Sequence, residues 1–244
     1  LTDVTDCFAA SGFNAFKNKT VKAIAVDSSS VTRRFFDEMT EFAKTDLGMA
    51  GLAWIKINED GTVVGPIAKY LTEEVLKDMF EKTGAKENYG IFFIADQYNK
   101  ACKDAGNVRN ELGRRLGLID NDVYKFCFIV DFPFYEETDD GKIDFGHNPF
   151  SMPQGGLEAL ENQNPLDILA YQYDMVCNGY EIVSGAVRNH DTQVMTKAFE
   201  IAGYSEETVK NKFGALYNAF KFGAPPHAGA APGIDRMIML LLGE

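Results

Sequence analysis

Between residues 121 and 244 the chain carries eight basic residues against eighteen acids, and only two of the eight, Arg188 and Arg236, are arginines. A guanidinium suits a fixed, forked contact with a carboxylate or a phosphate. In so acidic a segment each one needs a reason. Arg236 stands in KFGAPPHAGAAPGIDRMIMLLLGE, where a glycine- and alanine-rich run leads into a purely apolar stretch that reads as a buried helix. Gly229 and Gly233 would let a ligand approach the backbone there, and the arginine at the start of the helix would then clamp a phosphate. A helix-start arginine paired with Asp235 fits the same letters. No G-x-G-x-x-G or Walker pattern decides between the two.

Glu181 lies in NGYEIVSGAVRNH, in an apolar run beside small residues that leave room for a ligand. A carboxylate on a half-buried strand requires a cation: an arginine, a lysine or a metal ion. Arg188 follows at an odd offset, which puts it on the opposite face of an unbroken strand. For both to serve one pocket, the strand must bulge near Ser184 and Gly185, or Arg188 must lie past the strand's end. A structural Glu181–Arg188 pair or an exposed strand edge stays open. His147, His190 and His227 lie far apart without zinc-protease spacing, so each reads equally as a hydrogen-bonded loop histidine.

The elements that must position these residues follow from periodicity and punctuation. Residues 20–27 alternate as a strand, and SVTRRFFDEMTEFAKTDLG is a helix with Phe35, Met39, Phe42 and Ala43 on one face, ending at Gly48. GLAWIKIN and GTVVGPIAKYL form a hairpin turning at Asp60–Gly61. A helix capped by Thr72 and closed by Gly84 comes next, then the buried strand YGIFFIAD and a further helix. Past Asp120, YKFCFIVDFPFYE is a strongly apolar strand with a hairpin tip at TDDGK, and two strands flank Asn178–Gly179. Two amphipathic helices follow, with Val194, Ala198 and Ile201 on the first and Val209, Phe213, Leu216, Tyr217 and Phe220 on the second. The architecture predicted is α+β: a compact α+β unit over 1–120, then an antiparallel sheet backed by helices over 121–244.

Composition excludes several classes. The net charge of −12 falls mostly on the second half, at −10 against −2 for residues 1–120, and such a surface repels phosphate backbones. The longest apolar run is far short of the roughly 20 residues that span a bilayer. The scattered cysteines (Cys7, Cys102, Cys127, Cys177) offer no C-x-x-C pair, so reduced thiols in a cytoplasm are the expectation, and no export leader opens the chain. Leu1 in place of a methionine, and Glu244 directly after an apolar helix, suggest part of a longer protein.

GAPPHAGAAPGIDRMIMLL resembles the third signature motif of class II aminoacyl-tRNA synthetases, in the form typical of bacterial aspartyl enzymes. FIVDFPFYE, HNPFSMP and NGYEIVSGAVRNHD resemble the same enzymes in the same order. GLAWIKI and GPIAKYL resemble the GAD insertion domain carried by the bacterial aspartyl enzymes, which makes 1–120 the GAD domain and 121–244 the C-terminal part of the catalytic domain. The resemblance covers essentially the whole chain.

What the resemblance implies is ATP-dependent activation of L-aspartate to the adenylate, followed by transfer to tRNA(Asp). Arg236 would then grip the γ-phosphate of ATP, with Gly233, Ile234 and Asp235 lining the nucleotide. Glu181 would hold ATP through Mg2+, Arg188 would bind the side-chain carboxylate of aspartate, and His147 would sit over the amino acid. A cytoplasmic homodimeric parent without membrane contact is implied as well. The sequence departs from the family in His147–Asn148, where two histidines are common, in Ala228 and Pro232, and in Val183–Ser184, where glycines are common. No counterpart of the anticodon barrel, the first and second motifs or the amino-acid-binding lysine region is found, so the fragment alone is expected to be inactive. The alternatives are a synthetase paralogue that activates an amino acid without charging tRNA, and a non-catalytic GAD-type module that handles tRNA with an amidotransferase.

Overall fold

A computed structural model describes residues 1–9 and 13–243; residues 10–12 and 244 lie outside the description. The chain separates into two compact units, Leu1–Asp120 and Asn121–Glu244.

The first unit contains β1 (Thr2–Asp3), β2 (Thr20–Asp27), α1 (Arg33–Thr45), β3 (Ala53–Ile57), β4 (Val63–Val64), α2 (Glu73–Thr83), β5 (Tyr89–Asp96) and α3 (Tyr98–Arg115). The strands form one antiparallel sheet in the order β1-β2-β5-β3-β4. Helices cover both faces, which explains why YGIFFIAD is apolar without alternation. Ile91 and Phe93 of the central strand β5 face a core shared with Met79 of α2, while Phe92 and Ile94 face one shared with Phe36, Met39, Val108 and Leu112. Helix α2 starts where Thr72 accepts from the Val75 amide and stops at Gly84, which takes the left-handed conformation. One face assignment shifts. In α1 the fully buried residues are Phe36, Met39 and Ala43, and Phe35 and Phe42 only flank them. Spacings of three and four residues from Phe36 fit one helical stripe, and the ring stacks on Phe92 at 5.2 Å.

The second unit contains β6 (Phe126–Pro133), β7 (Tyr135–Glu137), β8 (Ile143–Phe145), α4 (Gly156–Asn162), β9 (Leu169–Cys177), β10 (Tyr180–Val187), α5 (Thr192–Ile201), α6 (Glu206–Phe220), β11 (Ala228–Pro232) and α7 (Ile234–Leu242). Its main sheet is antiparallel in the order β11-β10-β9-β6. β9 and β10 join through Asn178–Gly179, both at positive φ, the turn that this dipeptide favours. The apolar run 124–136 is not one strand. β6 loses register with β9 at Asp131 (φ 58°), which opposes two residues of β9, Tyr171 and Gln172, and β7 leaves to pair with β8 around the TDDGK tip. Tyr135 and Phe145 stack there, and the Tyr135 hydroxyl donates to the Ala198 carbonyl at 2.8 Å. Asp191 caps α5 by accepting from the Gln193 and Val194 amides, and α6 kinks at Phe213, just before Gly214.

The expectation of a buried helix after Arg236 is corrected. No described residue of α7 is buried, and Leu241 is 72% exposed. β6 is similarly open, with Phe126 and Phe128 at 63% and 60%. Both elements are apolar enough for an interior, but the described residues of the second unit leave most of their surface uncovered. Among the described residues, no helix is long and apolar enough to cross a membrane.

Candidate functional site

Strand β10 supplies the site. Its pairing with β9 runs Tyr180 to Cys177 and Glu181 to Val176, then resumes with Val183 opposite Met175. Ile182 is the extra residue of a bulge, three positions before Gly185, so the bulge lies earlier than the Ser184–Gly185 position read from the sequence. The inserted residue reverses the alternation. Glu181 therefore shares a sheet face with Ser184 and Ala186, and with Gln172, Asp174 and Val176, the residues of β9 that alternate opposite them. Arg188, one residue past the end of β10, continues the same face. The odd offset between Glu181 and Arg188 is thus resolved by the bulge.

Arg236 meets this face at Glu181. Its Nη1 donates to the Glu181 carbonyl at 2.6 Å and lies 3.4 Å from the Glu181 Oε1. That ends two open readings, because among the described residues Arg236 forms no ion pair with Asp235 and Glu181 forms none with Arg188. The turn that presents Arg236 is set by Gly233, whose amide donates to the Ile182 carbonyl at 2.8 Å and whose own carbonyl accepts the first helical bond from Met237. The bulge residue is therefore also the anchor of α7. Ile234 and Asp235 are exposed in the first turn of that helix.

Arg188 is half-buried, and its backbone is fixed on both sides: its amide donates to the His227 carbonyl at 2.9 Å, and it bridges Ser151. The guanidinium lies over Gly229, where a Cβ would come within 3.8 Å of Nη2. It has no carboxylate at ion-pair distance among the described residues, so its charge is uncommitted. His147 is exposed and packs edge-on against Phe132 at 5.0 Å. Phe132 pairs with Ala170, beyond the register shift between β6 and β9. The face thus gathers Glu181 and Arg188, with Arg236 hooked to its edge.

Asp174 was passed over in the sequence. It is 9% exposed, sits opposite Ser184, and its Oδ1 has no hydrogen-bond partner. A buried carboxylate oxygen without a partner is costly, so the position argues for a cation or donor from outside. The available signal was an acid at an inward position of the Ala170–Gln172–Asp174 alternation. Asp174 and Glu181 are diagonal neighbours on one face and offer only oxygen ligands, the donor chemistry of a hard divalent ion such as Mg2+. The back of the sheet holds the strands close: Tyr173 lies across Gly185 and its hydroxyl donates to the Gly229 carbonyl at 3.1 Å.

Residues 38–244 match the family model described as tRNA synthetases class II (D, K and N). Over 246 aligned positions the chain is 52% identical to an aspartate–tRNA ligase of Streptomyces avermitilis, covering 100% of this chain and 42% of that protein. It is 53% identical to an aspartate–tRNA(Asp/Asn) ligase of Anaplasma marginale, covering 99% of this chain and 41% of that one. The chain therefore spans about two fifths of the length of these curated relatives. With the family model matching most of its residues, the chain belongs to the class II tRNA synthetases of the D, K and N group.

Proposed function

We propose that this chain is the GAD domain (1–120) and the C-terminal part of the catalytic domain (121–244) of an aspartate–tRNA ligase, a cytoplasmic homodimer acting on L-aspartate, ATP and tRNA(Asp). The observation that carries the proposal is the Ile182 bulge, which turns Glu181 onto the face of Arg188 while its carbonyl holds Arg236. An acidic domain keeps these two arginines because its two anionic substrates each need one. The open apolar surfaces of β6 and α7 fit a segment whose remaining packing partners lie elsewhere in the whole protein. The isolated segment is accordingly inactive.

In the whole ligase, an oxygen of the aspartate α-carboxylate attacks the α-phosphorus of ATP in line. The new O–P bond forms as the bond to the β-phosphate oxygen breaks, and pyrophosphate leaves with the electron pair. The ribose hydroxyl at the tRNA 3′ end then attacks the aspartyl carbonyl and AMP is expelled. Neither step needs a protein nucleophile, so positioning and charge neutralisation carry the rate. Arg188 holds the side-chain carboxylate of aspartate, His147 covers the amino acid, and Arg236 grips the γ-phosphate, with Gly233, Ile234 and Asp235 against the nucleotide. Asp174 and Glu181 are the groups that would hold Mg2+, which when bound neutralises phosphate charge.

The test is Arg188→Lys in the full-length ligase. An ammonium cannot reproduce a two-point carboxylate contact, so aspartate-dependent pyrophosphate exchange should fall by about 10²-fold or more. Exchange at the wild-type rate would remove the assignment.

A further inference from the structure

Strands β9, β10 and β11 set three residues in a row on the face of Glu181 and Arg188: Gln172, Ala186 and Gly229 lie directly opposite one another. The Arg188 guanidinium covers the Gly229 end of this row. Gln172 holds the other end. Neighbouring strands run about 4.8 Å apart, so the row is roughly 10 Å long, and the two long side chains reach from either end over the single methyl of Ala186. Ala186 itself is fully buried.

Gln172 is 8% exposed, and one end of its amide is already used: the Ser151 hydroxyl donates to Oε1 at 3.5 Å. Ser151 also bridges the backbone of Arg188, so one short segment holds the base of the arginine and the amide of the glutamine. Nε2 is the end left over. It has no hydrogen-bond partner among the described residues and, unlike Asp174 Oδ1, is not sealed off. A nearly buried amide nitrogen with unused N–H groups calls for an acceptor from outside.

Its neighbours say which acceptor. Asp174 is the next residue of this face along β9, and Arg188, without a carboxylate among the described residues, stands on the other side. A glutamate at position 172 would reach the guanidinium and neutralise it, and an alkyl chain would bring no donor. Glutamine is the residue of this length that adds donors beside Arg188 without cancelling its charge. An amide donor next to a free guanidinium suits a carboxylate, whose two oxygens both accept. The side-chain amide of asparagine would turn one N–H2 group toward these donors and find no acceptor.

We propose that Gln172 is a specificity-determining residue of the aspartate pocket: its Nε2 donates to the substrate side-chain carboxylate that Arg188 holds. The proposal rests on the reading of Arg188 given above and adds a second contact to the same carboxylate.

Gln172→Met and Gln172→Glu in the full-length ligase test it, read by aspartate-dependent pyrophosphate exchange with asparagine as a competing ligand. Gln172→Met keeps the length and loses the donors, so the KM for aspartate should rise about tenfold while kcat and the KM for ATP stay within about twofold. Gln172→Glu sets an anion against the bound carboxylate and offers an asparagine amide an acceptor. There the KM for aspartate should rise about a hundredfold or more, while the inhibition constant of asparagine falls or stays within about twofold. An unchanged aspartate KM in Gln172→Met overturns the proposal. So does a rise in Gln172→Glu by the same factor for both amino acids, because a merely structural lesion weakens both alike. Should Gln172→Met fail to fold, the isosteric Gln172→Glu decides alone. Exchange at the wild-type rate in Arg188→Lys overturns the reading of Arg188 and this proposal with it; a crippled Arg188→Lys beside unaffected Gln172 variants overturns this proposal alone.

Discussion

Arg236 and Glu181 hold one another through backbone and side chain together: Nη1 of Arg236 lies 2.6 Å from the Glu181 carbonyl and 3.4 Å from its Oε1. The two side chains are about half exposed, at 53% and 45%. Such a pair adds little to stability, because water screens the charges and both side chains lose rotamer freedom. The tight element is the hydrogen bond to the carbonyl, which aims the guanidinium at the bulged start of β10 and leaves its other nitrogens without a carboxylate partner among the described residues.

Arg236→Ala in the full-length ligase should therefore split function from stability. Pyrophosphate exchange is expected to fall by about 10²–10³-fold, the loss typical of removing one charge-stabilising donor from a reacting phosphate. The unfolding free energy should change by less than about 1 kcal/mol, as for other exposed pairs. Urea unfolding and exchange assays on the same preparation check both. Intact exchange would show that Arg236 only braces β10.

The sequence made the local devices of this site legible and left its long-range ones hidden. Asn178–Gly179 and Thr72 act through their own backbone, so their turn and cap follow from residue type. The bulge at Ile182 depends instead on how β10 slips against β9, and Gly233 anchors it from the turn between β11 and α7. Neither relation leaves a mark on the letters around Ser184, where the bulge was expected. Asp174 was missed because one acid in an alternating strand shows its burial and empty oxygen only once β10 lies beside it. Met237 to Leu242 reads as a buried helix because hydropathy states what a segment tolerates; its exposure depends on what covers it.

Gly185→Ala should destabilise the second unit. A Cβ there would lie 2.6 Å from Tyr173 Cζ, and 2.8 Å from the Gly229 carbonyl oxygen, which belongs to paired backbone and cannot swing aside. Overpacking of this kind costs about 1–3 kcal/mol. The urea midpoint should drop, and Tyr173→Leu in the same chain should recover part of the loss, since only the ring clash is relieved. A midpoint equal to wild type in Gly185→Ala would mean that Tyr173 does not lie across the strand.

The acid limit of the first unit should depend on Glu111. Hydrogen bonds from Arg114 and Arg115 hold its carboxyl down at about 2 from an ordinary 4.5, against the opposing effect of burial. A carboxyl depressed in the folded state contributes stability that is complete above its unfolded pKa and is lost as the pH falls toward the folded one. The contribution should fade between about pH 4.5 and pH 2. Glu111→Gln should lower the melting temperature at pH 7 and flatten its decline across that window. A parallel decline in both proteins would remove the role.

Phe128→Lys tests what covers β6, and its effect should change sign with context. Phe128 is 60% exposed, opposite Met175, on a strand whose outer edge pairs with nothing among the described residues. In the isolated chain a lysine there interrupts an apolar edge and should reduce self-association, read by light scattering at rising concentration. In the full-length ligase the proposal places packing partners over this face, so the same change buries an unpaired ammonium and forfeits the packing of the ring. The expected cost there is about 3 kcal/mol or more. Improved behaviour in both contexts would mean that β6 faces solvent in the whole protein, and the assignment of this segment to a larger catalytic domain would lose its packing argument.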